Sequence, residues 1–201
     1  GRTQGKGCYC YVNGVLQAAP AVTAGPPLQI SGISVPAGGN ALILYEAEVN
    51  DFAPPTVGGQ VVNTVVLSGA GITPVTATET VIARDAAVLA VNKSISPAVV
   101  TDNSRVTYTL TLQNTGNTAV VATDDAVITD TFNPVLTDLV VTLNGTALTE
   151  GTDYTYDAAT GAFATLPGVI TVPAALFVQD AATGAWTVTP GVSTLVITGT
   201  I

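Results

Sequence analysis

The segment Arg105–Gln113, RVTYTLTLQ, alternates without a break. Val106, Tyr108, Leu110 and Leu112 fall on one face, and Arg105, Thr107, Thr109, Thr111 and Gln113 on the other. A period of two makes a strand with one buried face, whereas a helix would smear the same residues around its axis. Residues 140–148, VVTLNGTAL, read as strand, Asn-Gly turn and strand, because Asn-Gly accepts the positive φ angles of a two-residue hairpin. Further strands are expected over Leu28–Ile33, Ala41–Val49, Val61–Leu67, Thr76–Ile82, Val127–Thr131, Val169–Val172, Trp186–Thr189 and Thr194–Ile201. ETVIARDAAVLAV, residues 79–91, could be drawn as a helix, but β-branched residues crowd both of its ends. It is read as two strands around a junction at Arg84–Ala87. Many short strands between Gly and Pro turns predict an all-β chain of β-sandwiches.

Two repeats organise the pattern. YDAATGAF (156–163) and QDAATGAW (179–186) each place an Asp at the start of a turn, a Gly near its end and an aromatic at the re-entry to the sheet. Turn chemistry makes this one hairpin used twice, with a calcium or sugar loop as the alternative. The larger repeat aligns CYCYVNGVL (8–16) with LVVTLNGTAL (139–148), and VPAGGNALILYEAEV (35–49) with VTPGVSTLVITGTI (188–201), setting Leu42-Ile43-Leu44 on Leu195-Val196-Ile197. Two related sandwiches follow, an N-terminal module over 1–84 and a C-terminal one over 85–201, joined near 83–88.

The modules are unequal. About fifty residues precede the Asn-Gly hairpin of the second, against seven before Cys8, and only the first continues into GGQVVNTVVLSG (58–69). The first sandwich is therefore expected to lack early strands and the second a final one. Uncovered strand edges and apolar faces are costly, and a strand from another copy covers both. Complementary gaps at opposite ends give a head-to-tail contact that propagates. The expected interface comprises residues 1–12 and Thr194–Ile201, with Tyr9, Tyr11, Leu195, Ile197 and Ile201 as its named contacts.

Charge narrows the partners. The net charge is −9, with five basic residues, two of which, Arg2 and Lys6, lie in the first six positions. A phosphate backbone requires clustered Lys and Arg, so nucleic acid is not expected, and an anionic membrane surface is disfavoured for the same reason. No apolar run approaches the ~18 residues of a membrane span, so no membrane insertion is expected. No leader or anchor pattern is read at either end. The chain has no histidine, which removes Ser-His-Asp and Cys-His sites and the usual zinc enzymes. The acids lie mostly in turn patterns, and no acid/base pair stands out. The reading is non-enzymatic, with no cofactor and no metal. Asp124, Asp125, Asp130 and Asp153 are the calcium candidates, in a spacing that matches no EF-hand loop.

Cys8 and Cys10, the only thiols, would share one strand face about 6.5 Å apart, too far for an unstrained bond to each other. Buried reduced thiols or intermolecular disulfides are the alternatives. Lys93 sits between Val91 and Ile95 on one alternating face. An inward Lys could form an isopeptide bond with Asp130, while a Lys snorkelling to the sheet edge is the plainer arrangement. Asn92-Lys93-Ser94 and Asn144-Gly145-Thr146 match the glycosylation acceptor pattern, as chance matches in a Thr-rich chain.

Residues 91–132 combine Lys93 in a first strand, Tyr108-Thr109, then Asn114-Thr115-Gly116-Asn117, and Asp130-Thr131 ahead of Pro134. This segment resembles the bacterial conserved repeat domain of surface proteins (domain-of-unknown-function family eleven). The match is specific over about forty residues and extends over the second module, while the first module resembles the later part of the same domain. The whole chain is similar to short tandem-domain proteins of clostridia and their relatives, from which it departs by lacking early strands in its first module. The resemblance implies an Ig-like sandwich, a cell-envelope or extracellular role, and structural rather than catalytic work. The expectation is a structural subunit of a self-assembling extracellular or spore-surface filament, joined by strand complementation. Its partner is itself, with other surface proteins as further candidates. The alternatives are an adhesin or glycan-binding sandwich and a monomeric spacer domain of a larger surface protein.

Overall fold

The computed structural model describes residues 7–23, 25 and 27–201. Arg2 and Lys6, and with them the first half of the 1–12 stretch, lie outside the described residues. The described chain is all-β, with no α-helix, and divides into two compact units, Gly1–Ala53 and Pro54–Ile201. The sequence reading had set its junction at 83–88.

In the first unit, β1 (Tyr9–Val12) pairs with β2 (Val15–Leu16), β3 (Ala21–Thr23) pairs with β4 (Gln29–Ser31), and β5 (Ala41–Leu44) lies on the other side of β1, giving the sheet order β2-β1-β5. Asn13 and Gly14 turn the first hairpin with φ of 50° and 78°, the left-handed pair that a two-residue turn demands. Cys10 is the one buried hydrophobic residue of this unit among those described.

The second unit opens with a long hairpin, β6 (Gln60–Gly69) and β7 (Ile72–Ile82). Then come β8 (Leu89–Ser96), β9 (Arg105–Asn114), β10 (Thr129–Thr131), β11 (Thr137–Leu143), β12 (Thr146–Ala147), β13 (Tyr154–Asp157), β14 (Ala162–Thr165), β15 (Leu176–Gln179), β16 (Trp186–Thr189) and β17 (Gly191–Thr200). Five of these form one antiparallel sheet, in the order β12-β11-β17-β9-β8. Three form a second, β10-β14-β13, and β15-β16 and β6-β7 stand as separate hairpins.

The two larger sheets close a sandwich. Val106 and Leu110 of β9, Leu195 and Ile197 of β17 and Val141 of β11 meet Phe132, Tyr154 and Phe163 from the opposite side. Tyr108, Tyr156 and Phe132 add ring contacts, with centroids 4.9 Å apart for Tyr108–Phe132 and 6.3 Å for Phe132–Tyr156. The Tyr156 hydroxyl accepts from the Leu136 amide at 2.7 Å and donates to its carbonyl at 3.0 Å. This fastens the chain where it enters β11.

The larger repeat is visible bond by bond. Asn144 and Gly145 turn with φ of 50° and 82°, as Asn13 and Gly14 do. The Asn144 amide donates to Thr194 O at 2.9 Å and its side-chain oxygen accepts from the Thr194 amide at 2.8 Å. The Asn13 amide donates to Asn40 O at 3.1 Å, and its side chain accepts from the Asn40 amide at 3.0 Å. Cys10 O accepts from Gln17 as Val141 O accepts from Leu148, both at 2.8 Å. The β-ladders correct the sequence alignment by one residue. Ile43 faces Cys10 as Ile197 faces Val141, so Ile43, not Leu44, is the counterpart of Ile197.

One further expectation holds and two shift. The chain runs from β7 to β8 through residues 83–88 without a helix, close to the Arg84–Ala87 junction read from the sequence. Residues 169–172 are not a strand, and Val172 makes a single bridge to Val120 just before Pro173. The fifth strand ends at Leu44 rather than Val49.

Candidate functional site

The Asn114-Thr115-Gly116-Asn117 turn gathers three stretches of chain. Asn114 is fully buried. Its side-chain oxygen accepts from the amides of Val88 (3.0 Å) and Gly116 (2.9 Å), while its nitrogen donates to Thr118 O (2.7 Å) and Pro173 O (3.0 Å). Only an amide side chain offers two acceptor and two donor sites at one point. Asn117 accepts from the Ala86 amide at 2.9 Å and donates to Pro55 O at 3.1 Å and Asp85 Oδ1 at 3.1 Å. A Cβ on Gly116 would lie 2.1 Å from Ala86 O, so only glycine lets the two backbones approach this closely. The Gly59 carbonyl accepts from the Ala83 amide at 2.7 Å. Together these bonds fix the base of the β6-β7 hairpin to the sandwich.

Every residue of β6 and β7 is exposed. The register Val61↔Val81, Val65↔Ala77 and Leu67↔Val75 places six apolar side chains on one face. Asn63 and Glu79 form the one polar pair within that row. The other face carries Val62, Val66 and Ile82 among threonines, with Thr64 and Thr78 hydroxyls 3.2 Å apart. A two-stranded hairpin is marginal without a surface to pack on, and an extended apolar patch of this kind marks an interaction site.

The same unit has an uncovered floor. Pairing aligns Val91 with Leu112, Lys93 with Leu110 and Ile95 with Tyr108, so these β8 side chains share the face of the core. Leu89, Val91 and Ile95 are nevertheless 51%, 58% and 43% exposed. The five-stranded sheet extends past its three-stranded cover, whose nearer edge strand is β10. Lys93 bridges the step. Its Nζ donates to Asp130 Oδ2 of β10 at 2.5 Å and lies 4.9 Å and 5.3 Å from the Tyr108 and Phe132 ring centres. Lys93 and Asp130, paired in the sequence reading as isopeptide candidates, are thus neighbours, joined here as an ion pair over two aromatic rings. The remaining Asp130 oxygen accepts from the Thr131 amide at 2.9 Å.

Of the five residues named from the sequence as interface, three lie within the sandwich. Leu195 and Ile197 are fully buried, and β17 is hydrogen-bonded on both edges, to β11 and β9. Ile201 is half-buried, its amide donating to Ser104 O at 3.0 Å and its carbonyl accepting from Asn103 at 2.8 Å. These three therefore build the sandwich of their own unit. Tyr9 is half exposed and Tyr11 partly buried, both on β1 of the small sheet. Cys8 precedes β1 and is partly exposed, Cys10 is buried, and both thiols are free.

The acids named as calcium candidates are dispersed. Asp124 Oδ2 accepts from the Val121 amide at 2.8 Å and Asp153 Oδ2 from the Thr149 amide at 2.7 Å. No group of three or more His, Cys, Asp or Glu converges among the described residues. The two DAATG turns are one structure used twice. Asp157 accepts from Ala159 N and Thr160 Oγ1, Asp180 from Ala182 N and Thr183 N, and Gly161 and Gly184 both turn at φ 76°. These bonds hold both carboxyls below the usual carboxylate range, led by the Thr160 side chain for Asp157 and the Thr183 amide for Asp180. The carboxylates are spent on their own loops.

No family model, no curated protein and no solved structure matches this chain. No helix among the described residues is long and apolar enough to cross a membrane.

Proposed function

We propose that this chain is the structural subunit of a self-assembling filament of the cell or spore surface, in which each copy completes its neighbour by adding strands. One observation carries this reading. A fully exposed hairpin, Gln60–Ile82, presents an apolar row of Val61, Val65, Leu67, Val75, Ala77 and Val81 from a base fixed by Asn117. Stable monomers rarely keep so regular an apolar surface in water, and added strands bring backbone pairing as well as burial.

The small sheet of the first unit supports the same reading. Strand β5 occupies the place that β17 holds in the second unit, but among the described residues only its β1 edge is paired, where β17 is paired on both. The resemblance of residues 91–132 to repeat domains of bacterial surface proteins agrees with an extracellular, non-catalytic role. The adhesin alternative draws on Tyr9, Tyr45 and Phe52, exposed aromatics of the first unit. Sedimentation velocity over a concentration series, followed by negative-stain microscopy, tests the proposal. The expected result is growth from monomer into fibres. A single monomer boundary at every concentration, with no fibres, overturns it.

A further inference from the structure

Resting on the self-assembly reading, we infer which two surfaces meet: the β6-β7 hairpin of one copy packs across β8 and beside the β10 edge of the next. The acceptor is the exposed floor of Leu89, Val91, Lys93 and Ile95 together with the unpaired side of Thr129–Thr131.

Three features match donor to acceptor. The first is spacing. The β7 row reads Val75, Ala77, Glu79, Val81 and the β8 row reads Leu89, Val91, Lys93, Ile95, each apolar at its first, second and fourth positions and charged at its third. Packed face to face in the same direction and in register, these rows set Glu79 against Lys93. The second is charge. Glu79 is the only acid in the exposed hairpin, and Lys93 has, among the described residues, one carboxylate partner, Asp130, and an exposed side. A second carboxylate on that side lets Glu79 share Lys93 with Asp130, so the hairpin's one acid is covered beside a cation rather than against apolar side chains alone. The third is the edge. β10 has three residues and, among the described residues, pairs on one side only, with β14, leaving its other side for a new strand. Hairpin and floor lie at different places on one unit, so the contact is heterologous and each copy offers one of each. Such a contact grows into an open chain.

The test uses three variants of the full chain. In the first, residues 61–81 are replaced by a short Gly-Ser turn, leaving the Gly59–Ala83 bond and the Asn117 contacts in place. In the second, Val91→Arg puts a long cation into the floor. In the third, Val192→Arg puts the same change on the opposite face of the same sheet, where Val192 is exposed. Near-ultraviolet circular dichroism confirms that each folds. The shortened variant and Val91→Arg each lose fibre formation, with association weakened at least about a hundredfold, while Val192→Arg assembles as the parent does. Mixed in equal amounts, the shortened variant, which keeps the floor, and Val91→Arg, which keeps the hairpin, form one-to-one pairs and no longer species.

Fibres from the shortened variant, or from Val91→Arg at the parent's concentration, would overturn this assignment and leave the filament reading standing. A mixture that stays monomeric would overturn it too. A parent chain that never assembles would overturn both.

Discussion

Replacing Asn114 by Ala tests how the turn that carries Asn117 is held in the sandwich. The side chain is fully buried and makes four hydrogen bonds of 2.7–3.0 Å, to Val88, Gly116, Thr118 and Pro173. Each net bond contributes about 1 kcal/mol, and the buried groups left behind gain no replacement, so the loss comes to about 4 kcal/mol. For a unit of this size that lowers the Tm by roughly 12 °C. Thermal and urea unfolding of Asn114→Ala against the parent measures it. Amide hydrogen exchange adds a local readout. The Val88 and Gly116 amides, which donate to the Asn114 side chain, should lose protection more than the amides of the β9-β17 ladder. A cost below about 1 kcal/mol, or uniform loss of protection, would refute the view that Asn114 ties this turn to Val88 and Pro173.

Four further outcomes follow from the same geometry. Leu195→Ala should destabilise the unit by about 3 kcal/mol, since it removes a fully buried core side chain, and should leave the assembly of the folded fraction unchanged in sedimentation. Burial, with the nearby charge of Glu150 second, holds the Tyr154 hydroxyl above its ordinary pKa. The stabilising neutral phenol is fully present below about pH 10 and is lost as pH rises through the higher folded value. Tyr154→Phe should therefore match the parent in urea midpoint at neutral pH and exceed it in alkali. Iodoacetamide should label the partly exposed Cys8 before the buried Cys10, as read by peptide mass spectrometry. Lys93 and Asp130 as an ion pair predict an intact mass equal to that of the sequence, and a deficit of one water would show an amide between them instead.

Much of the fold is legible in the residues. The alternation from Val106 to Leu112 reports a strand with one buried face, and Val106, Leu110 and Leu112 are buried. Asn-Gly at 13–14 and at 144–145 announces two hairpins that turn alike, and the doubled DAATG announces two more. What alternation does not encode is the neighbour. Val61, Val65 and Leu67 repeat every second residue like Leu110 and Leu112, yet one set is exposed and the other buried. Leu195 and Ile197 look like an available final strand because they lie at the end of the sequence, but β17 pairs on both sides in the middle of the sheet. Chain order and sheet order differ in any sandwich whose strands cross between sheets, and only tertiary pairing distinguishes an edge from a centre. The inward side of Lys93 was legible from Val91 and Ile95. The uncovered floor around it was not, because exposure of that floor depends on how far the opposite sheet reaches. For Asn114-Thr115-Gly116-Asn117, the residues alone suggested a turn, and the structure adds its second task of fastening residues 84–88.

The central claim is that copies of this chain join through the β6-β7 hairpin. Cryo-electron microscopy of the assembled protein examines it most directly. The expected fibres have a map in which Gln60–Ile82 of each copy lies against Leu89, Val91 and Ile95 of the next, with Glu79 beside Lys93 and a strand added along β10. Fibres in which that hairpin projects into solvent, with copies joined elsewhere, would contradict it, as would a protein found only as separate monomers.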